Sequence, residues 1–205
     1  MNHVLERLAA ERVVPVLSPA SADEAERACH ALLDGGLSTV EITFRTPAAV
    51  EAIRRAMKID GLIVGAGTVL STAQLTQAVE AGASFAVAPG TSVTVIEAAR
   101  SAGVTFIPGV ATPSEIEEAR AHGCRTLKVF PAATLGGPAF IKAVSAVYPD
   151  VRFVPTGGIT AENLASYLEV PTVLACAGTW ICEQTLLRER RFDEIERRAR
   201  EVAAA

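Results

Sequence analysis

Eight short runs rich in Val, Ile, Phe and Thr, most of them bounded by Gly or Pro, alternate with Ala- and Glu-rich stretches of helical spacing. This alternation restricts the fold more than any single residue does, because a strand followed each time by a helix returns parallel to its predecessor. The runs are VVPVL from Val13, TVEITF from Thr39, IVGAGTV from Ile63, FAVAPG from Phe85, TFIPGV from Thr105, TLKVF from Thr126, FVPTGG from Phe153 and VLACAGTW from Val173. Ser21, Thr46 with Pro47, Ser71 and Thr112 with Pro113 are placed to cap helix starts. Glycines in Asp34-Gly35-Gly36, Ala81-Gly82, Ala102-Gly103 and His122-Gly123 are placed to close helices. Eight such units in 205 residues predict an α/β chain folded as a closed (β/α)8 TIM barrel, a single domain over 1–205 with a short N-terminal helix. The alternative, an open doubly wound sheet, is favoured by a GxGxxG turn after the first strand. That turn reads LSPASADE, and VGAGTVLS at the third strand lacks the last glycine.

Charge and hydropathy narrow the function. Lys and Arg total 19 against 23 Asp and Glu, a net charge of -4, so no broad basic field exists to hold nucleic acid. The opening MNHVLERLAAERVVPVL carries Glu6 and Glu11 and no small-residue cleavage site, and no apolar run approaches the roughly 18 residues that span a membrane. A soluble cytoplasmic protein is expected, with no membrane partner. Cys29, Cys124, Cys176 and Cys182 form no CxxC pair and read as packed, reduced thiols; a nucleophilic cysteine would need a base nearby, for which the histidines offer little. His3, His30 and His122 precede the first strand or fall in predicted helices, and no carboxylate cluster replaces them, so neither a metal nor another cofactor is expected. The last segment, FDEIERRAREVAAA, reads as an exposed amphipathic helix whose arginines form a solvated face.

In such a barrel the chemistry belongs at the C-terminal ends of the strands. Lys128 stands within TLKVFPA, where Leu127, Val129 and Phe130 imply a buried strand. Burial disfavours the charged form of a lysine and frees the neutral amine that attacks carbonyls. The plainer reading is a structural lysine paired to a carboxylate or reaching solvent. Alternation in TVEITFR puts Thr39, Glu41, Thr43 and Arg45 on one side, and Val40, Ile42 and Phe44 on the other, facing the helices. Glu41 then points inward, suited to acid/base work or to an ion pair with Lys128 that does no chemistry. The planar fork of Arg45 suits a substrate carboxylate, as does the hydroxyl of Thr68, although each also fits a plain helix start. Gly157 and Gly158, with Gly178 and Thr179, stand in the last two loops, where barrels of this kind hold phosphate; Gly-Gly alone is also an ordinary turn.

In their order and spacing, EITFRT, VGAGTVLS, FAVAPG, FIPGVATPSE, LKVFPA and PTGGIT resemble the 2-keto-3-deoxy-6-phosphogluconate (KDPG) aldolase family, which also covers 4-hydroxy-2-oxoglutarate aldolases. The likeness runs from Val13 to the GTWI segment, nearly the whole chain. It implies a metal-free class I aldolase, a carbon-carbon lyase in which Lys128 forms a Schiff base and Glu41 moves protons. Arg45 and Thr68 would hold the carboxylate of the pyruvate half, and Pro89 would shape the pocket wall. Thr156, Gly157 and Gly158 would line the substrate pocket, with Gly158, Gly178 and Thr179 near the phosphate. The implied partners are a phosphorylated 2-keto acid and pyruvate, and the implied assembly is a homotrimer. Many members read FPAE after the lysine, whereas this chain reads FPAATLGG with Ala133 there, which leaves the aldehyde half of the substrate open. The rivals are an aldolase giving pyruvate and glyoxylate from 4-hydroxy-2-oxoglutarate, a bifunctional enzyme, a phosphosugar isomerase and a phosphosugar-binding protein.

Overall fold

The β-branched runs take the extended backbone they favour. A computed structural model describes residues 3–204. It begins with α1 (His3–Glu11), β1 (Val13–Leu17), α2 (Ala22–Asp34), β2 (Thr39–Thr43), α3 (Ala49–Ala56), β3 (Ile63–Gly67), α4 (Thr72–Glu80) and β4 (Phe85–Val87). There follow α5 (Val93–Ser101), β5 (Thr105–Ile107), β6 (Gly109–Val110), α6 (Pro113–Ala121), β7 (Thr126–Val129) and α7 (Gly137–Val147). The order closes with β8 (Arg152–Pro155), α8 (Ala161–Leu168), β9 (Cys176–Gly178), α9 (Gln184–Arg188) and α10 (Phe192–Ala203). Every ladder is parallel.

Six strands pair in the order β5-β4-β3-β2-β1-β9 and three in the order β6-β7-β8. The two groups meet inside the run TFIPGV, which Pro108 divides because it has no N–H to give the ladder. On the other side, Thr156 bridges Ala177 and Phe153 bridges Val173. The parallel layer therefore curls on itself with helices outside. The run from Val173 is strand only over Cys176–Gly178, and the run from Thr39 ends at Thr43, so Phe44 and Arg45 lie in a turn.

Helix starts follow the side chains that satisfy their free amides. Ser21, Ser71 and Thr112 accept from the N–H of Glu24, Gln74 and Glu115, each cap contributing about 1 kcal/mol. Thr46 does not cap: its hydroxyl donates to the Pro19 carbonyl at 2.7 Å, and α3 starts at Ala49 with no side-chain cap. At the end of α2, Gly35 keeps helical geometry and Gly36 takes the left-handed turn, φ 93°.

Period-two alternation divides the strand side chains between two apolar layers. Val40, Ile42, Leu127 and Val129 pack outward under the helices, while Val14, Val16, Ile63, Phe85, Val87, Ile107 and Val154 fill the interior. Leu8 of α1, with Val4, Leu5 and Ala9 against it, joins the interior layer. Glu11 anchors α1 to the start of β2, accepting from Ser38 N at 3.1 Å and Thr39 Oγ1 at 2.7 Å. The helix thus stoppers the strand N-terminal end and leaves the C-terminal end for polar groups. Among the described residues, no helix is long and apolar enough to cross a membrane.

Phe85 occupies the space beside Gly65, where a Cβ would fall 2.2 Å from the ring. Gly65→Ala is expected to lower unfolding free energy in urea by about 1–3 kcal/mol, with partial recovery in Gly65→Ala/Phe85→Leu. An unchanged midpoint would refute this account of the interior.

Candidate active site

Two charged side chains break the apolar interior. Glu41 on β2 is 2% exposed and Lys128 on β7 is 5% exposed. Lys128 Nζ stands 3.2 Å from Glu41 Oε1 and 3.5 Å from Oε2. Their strands are far apart in sequence and on different sheets, so only the curl of the layer brings them together. The carboxylate fits because Gly67 has no side chain: a Cβ there would fall 2.2 Å from Oε1 and 2.6 Å from Cγ. Lys128 is paired with Gly109 and Val154, and its N–H donates to the Pro108 carbonyl at 2.8 Å. Its ammonium lies 5.8 Å from the centroid of Phe130, whose ring also borders Gly157.

Thr68, Pro89, Thr156, Gly157, Gly158, Gly178 and Thr179 all fall at or just beyond the C-terminal ends of parallel strands, on the side to which the pair belongs. Thr68 is half-buried and left-handed, φ 57°, a costly geometry for a β-branched residue. Pro89 backs onto Gly109, the neighbour of Lys128, so closely that a Cβ on Gly109 would meet the Pro89 carbonyl carbon at 2.1 Å. Thr156 is buried and donates its N–H to Val129 at 2.9 Å. Gly157 and Gly158 have φ of 94° and 78°, which glycine adopts without strain. Arg45 and Thr179 are exposed on the rim, and neither is hydrogen-bonded to the pair.

The start of α8 is less open than the sequence implies. The Thr160 N–H donates to Asn163 Oδ1 at 2.9 Å, while Asn163 Nδ2 donates to the Gly158 carbonyl at 2.8 Å. Asn163 therefore fixes the glycine turn. The Ala132 and Ala133 amides donate to Thr156 and Gly157 carbonyls at 2.8 and 3.0 Å, tying the loop after Lys128 to the same turn. Ser18 and Thr43 share a hydrogen bond of 2.7 Å at the ends of β1 and β2. Of these, Thr43 was legible from alternation and Asn163 from its place three residues after Thr160; Gly67 carried the weaker signal of a small residue on an inward position. Ser18 and Phe130 depend on cross-strand register, which no local pattern states.

The thiols are ill suited to attack. Burial pushes Cys29 and Cys176 up to about 12 and raises Cys182 further, while Cys124 is half-buried and also raised by desolvation. Among the described residues, no three His, Cys, Asp or Glu side chains gather in a group that could hold a metal ion.

A family model described as KDPG and KHG aldolase matches residues 4–198. The chain belongs to the KDPG and KHG aldolase family. It is 42% identical to the 2-dehydro-3-deoxy-phosphogluconate aldolase of Pseudomonas aeruginosa, covering 93% of this chain and 87% of that one. KDPG aldolase from Legionella pneumophila, solved with pyruvate captured at low pH as a covalent carbinolamine intermediate, superposes with a TM-score of 0.94 at 35% identity, over 98% of both chains. The 2-keto-3-deoxy-6-phosphogluconate aldolase of Zymomonas mobilis, solved with 3-phosphoglycerate, gives 0.90 at 36% identity, over 98% of this chain and 94% of that one. Nearly full coverage in these KDPG and KHG aldolases matches the span over which the sequence motifs run.

Removing one member of a buried ion pair strands the other charge. Lys128→Met is expected to cost about 3–5 kcal/mol in urea denaturation, and Lys128→Met/Glu41→Gln to recover most of it. Additive losses would mean that the two side chains do not depend on each other.

Proposed function

We propose that this chain is a cytoplasmic class I aldolase that cleaves 2-keto-3-deoxy-6-phosphogluconate to pyruvate and glyceraldehyde 3-phosphate through a Schiff base on Lys128. The observation that carries the reading is the buried contact between Lys128 Nζ and the Glu41 carboxylate, 3.2 Å, in a member of this family. The carboxylate stands where it accepts a proton from the ammonium, so the pair can supply the neutral amine that attacks C2. Attack gives a carbinolamine, and Glu41 returns the proton to its hydroxyl, which leaves as water to give an iminium and restores the carboxylate. Glu41 then accepts the C4 hydroxyl proton as the C3–C4 bond breaks; the bonding pair enters the iminium to form an enamine, and the aldehyde leaves. Protonation at C3 and hydrolysis release pyruvate and the free lysine. The iminium is the electron sink, which gives a cofactor no step to perform.

Arg45 and Thr68 hold the keto-acid carboxylate, Pro89 and Thr156 wall the pocket, and Gly157, Gly158, Gly178 and Thr179 receive the phosphate in this reading. The domain spans 1–205. Its eight strand positions, with β5 and β6 counted as one, close a TIM barrel, supported by the shared run through Pro108 and the Thr156–Ala177 bridge. Three copies assemble, by the family likeness.

Borohydride added with pyruvate is expected to leave a covalent adduct on Lys128, found by peptide mass mapping. Lys128→Arg keeps a cation beside Glu41 but forms no imine, and is expected to abolish pyruvate release in a lactate-dehydrogenase-coupled assay, a loss of at least about 10³-fold. An adduct found only elsewhere, or turnover surviving in Lys128→Arg, would overturn the mechanism.

A further inference from the structure

The loop after β9 is held from behind by α10. A Cβ on Gly178 would fall 2.2 Å from Trp180 Cζ3 and 3.5 Å from Ile159 Cβ, so the indole and the residue after Gly158 bracket the same glycine. Gly178 is thus held between Trp180 and the residue that follows the Gly157–Gly158 turn. Trp180 packs against the outer apolar layer and also lines a groove of about 480 Å³ between α8 and α10, shared with Leu164, Arg197 and Val202. Its indole N–H is buried without a hydrogen-bond partner. Its backbone is tied to α10 by Arg198. Nη1 donates to the Trp180 carbonyl and to Glu183 Oε1 at 2.8 Å, and Nε donates to Glu194 Oε1 at 2.9 Å. The guanidinium is aimed by two carboxylates at one backbone carbonyl, with its side chain 26% exposed. A plain solvated arginine has no such arrangement.

We infer that Arg198 is a positioning residue for phosphate selectivity, which through Trp180 keeps Gly178 and Thr179 in place opposite the Gly157–Gly158 turn. This rests on the aldolase reading and on its phosphate site. Arg198 touches no reacting atom; it sets where backbone groups stand when the anion arrives, and the charged half of the substrate is the part that depends on it.

The test compares wild type, Arg198→Met and Arg198→Lys, each shown to be folded by circular dichroism and to trap pyruvate with borohydride. In Arg198→Met the KM for the phosphorylated substrate is expected to rise about ten-fold relative to that for 4-hydroxy-2-oxoglutarate, with kcat much less affected. Inhibition by inorganic phosphate should weaken by a similar factor. Arg198→Lys, which keeps the charge but loses the fork, should fall between, and carries the test should Arg198→Met not fold. Trp180 is the chain's single tryptophan, so its fluorescence in a phosphate titration reports the same loop without any turnover. An unchanged KM ratio and phosphate affinity in both variants would overturn the inference. A wild type that neither binds phosphate nor favours the phosphorylated substrate would remove the phosphate site and the inference with it, whereas a wild type that traps no pyruvate would strike the aldolase reading itself.

Discussion

The fold holds two buried charges, Glu41 and Lys128, that have little but each other. A carboxylate and an ammonium taken out of water lose hydration worth several kcal/mol each, and their attraction at 3.2 Å offsets this only where the geometry is held. The holding comes from elements distant in sequence. Gly67 leaves room for the carboxylate, and β6 and β8 fix the backbone of Lys128 from either side. The apolar interior, closed below by α1, keeps water from replacing either partner. The pair is therefore a poor source of stability for this fold and a demanding constraint on it.

Much of this was legible because it depends on local periodicity. The strand runs from Val13, Thr39, Ile63 and Phe85 begin where the β-strands begin, and alternation places Glu41 inward. Lys128 stood out because a lysine inside an apolar strand is costly. What failed depends on partners the pattern does not name. Thr46 has the composition of a cap but finds a better acceptor in Pro19, and Pro108 divides a run whose hydropathy is continuous. The α10 arginines look uniformly solvated, yet Arg198 meets a carbonyl eighteen residues earlier because α10 folds back along the loop after β9. Gly158 carried half its reason openly: φ of 78° favours glycine, but the methyl of Ala133, 2.4 Å from where its Cβ would stand, is visible only in space.

Thr68 separates what the fold requires from what the site requires. The Gly67 carbonyl before it accepts from Phe44 N at 2.8 Å, and the Val69 N–H after it donates to Val87 O at 3.0 Å, so the chain is clamped on both sides to neighbouring strands. A glycine would take φ of 57° between those clamps without strain, whereas a β-branched residue there costs about 1–3 kcal/mol. The residue is half-buried, and the β2 and β4 hydrogen bonds on either side of it are made by backbone atoms. The hydroxyl stands one residue beyond the glycine that admits the Glu41 carboxylate, at the same strand end. In the proposed aldolase reading, a strained side chain in that place serves what binds beside the ion pair, where sequence propensity and function pull apart.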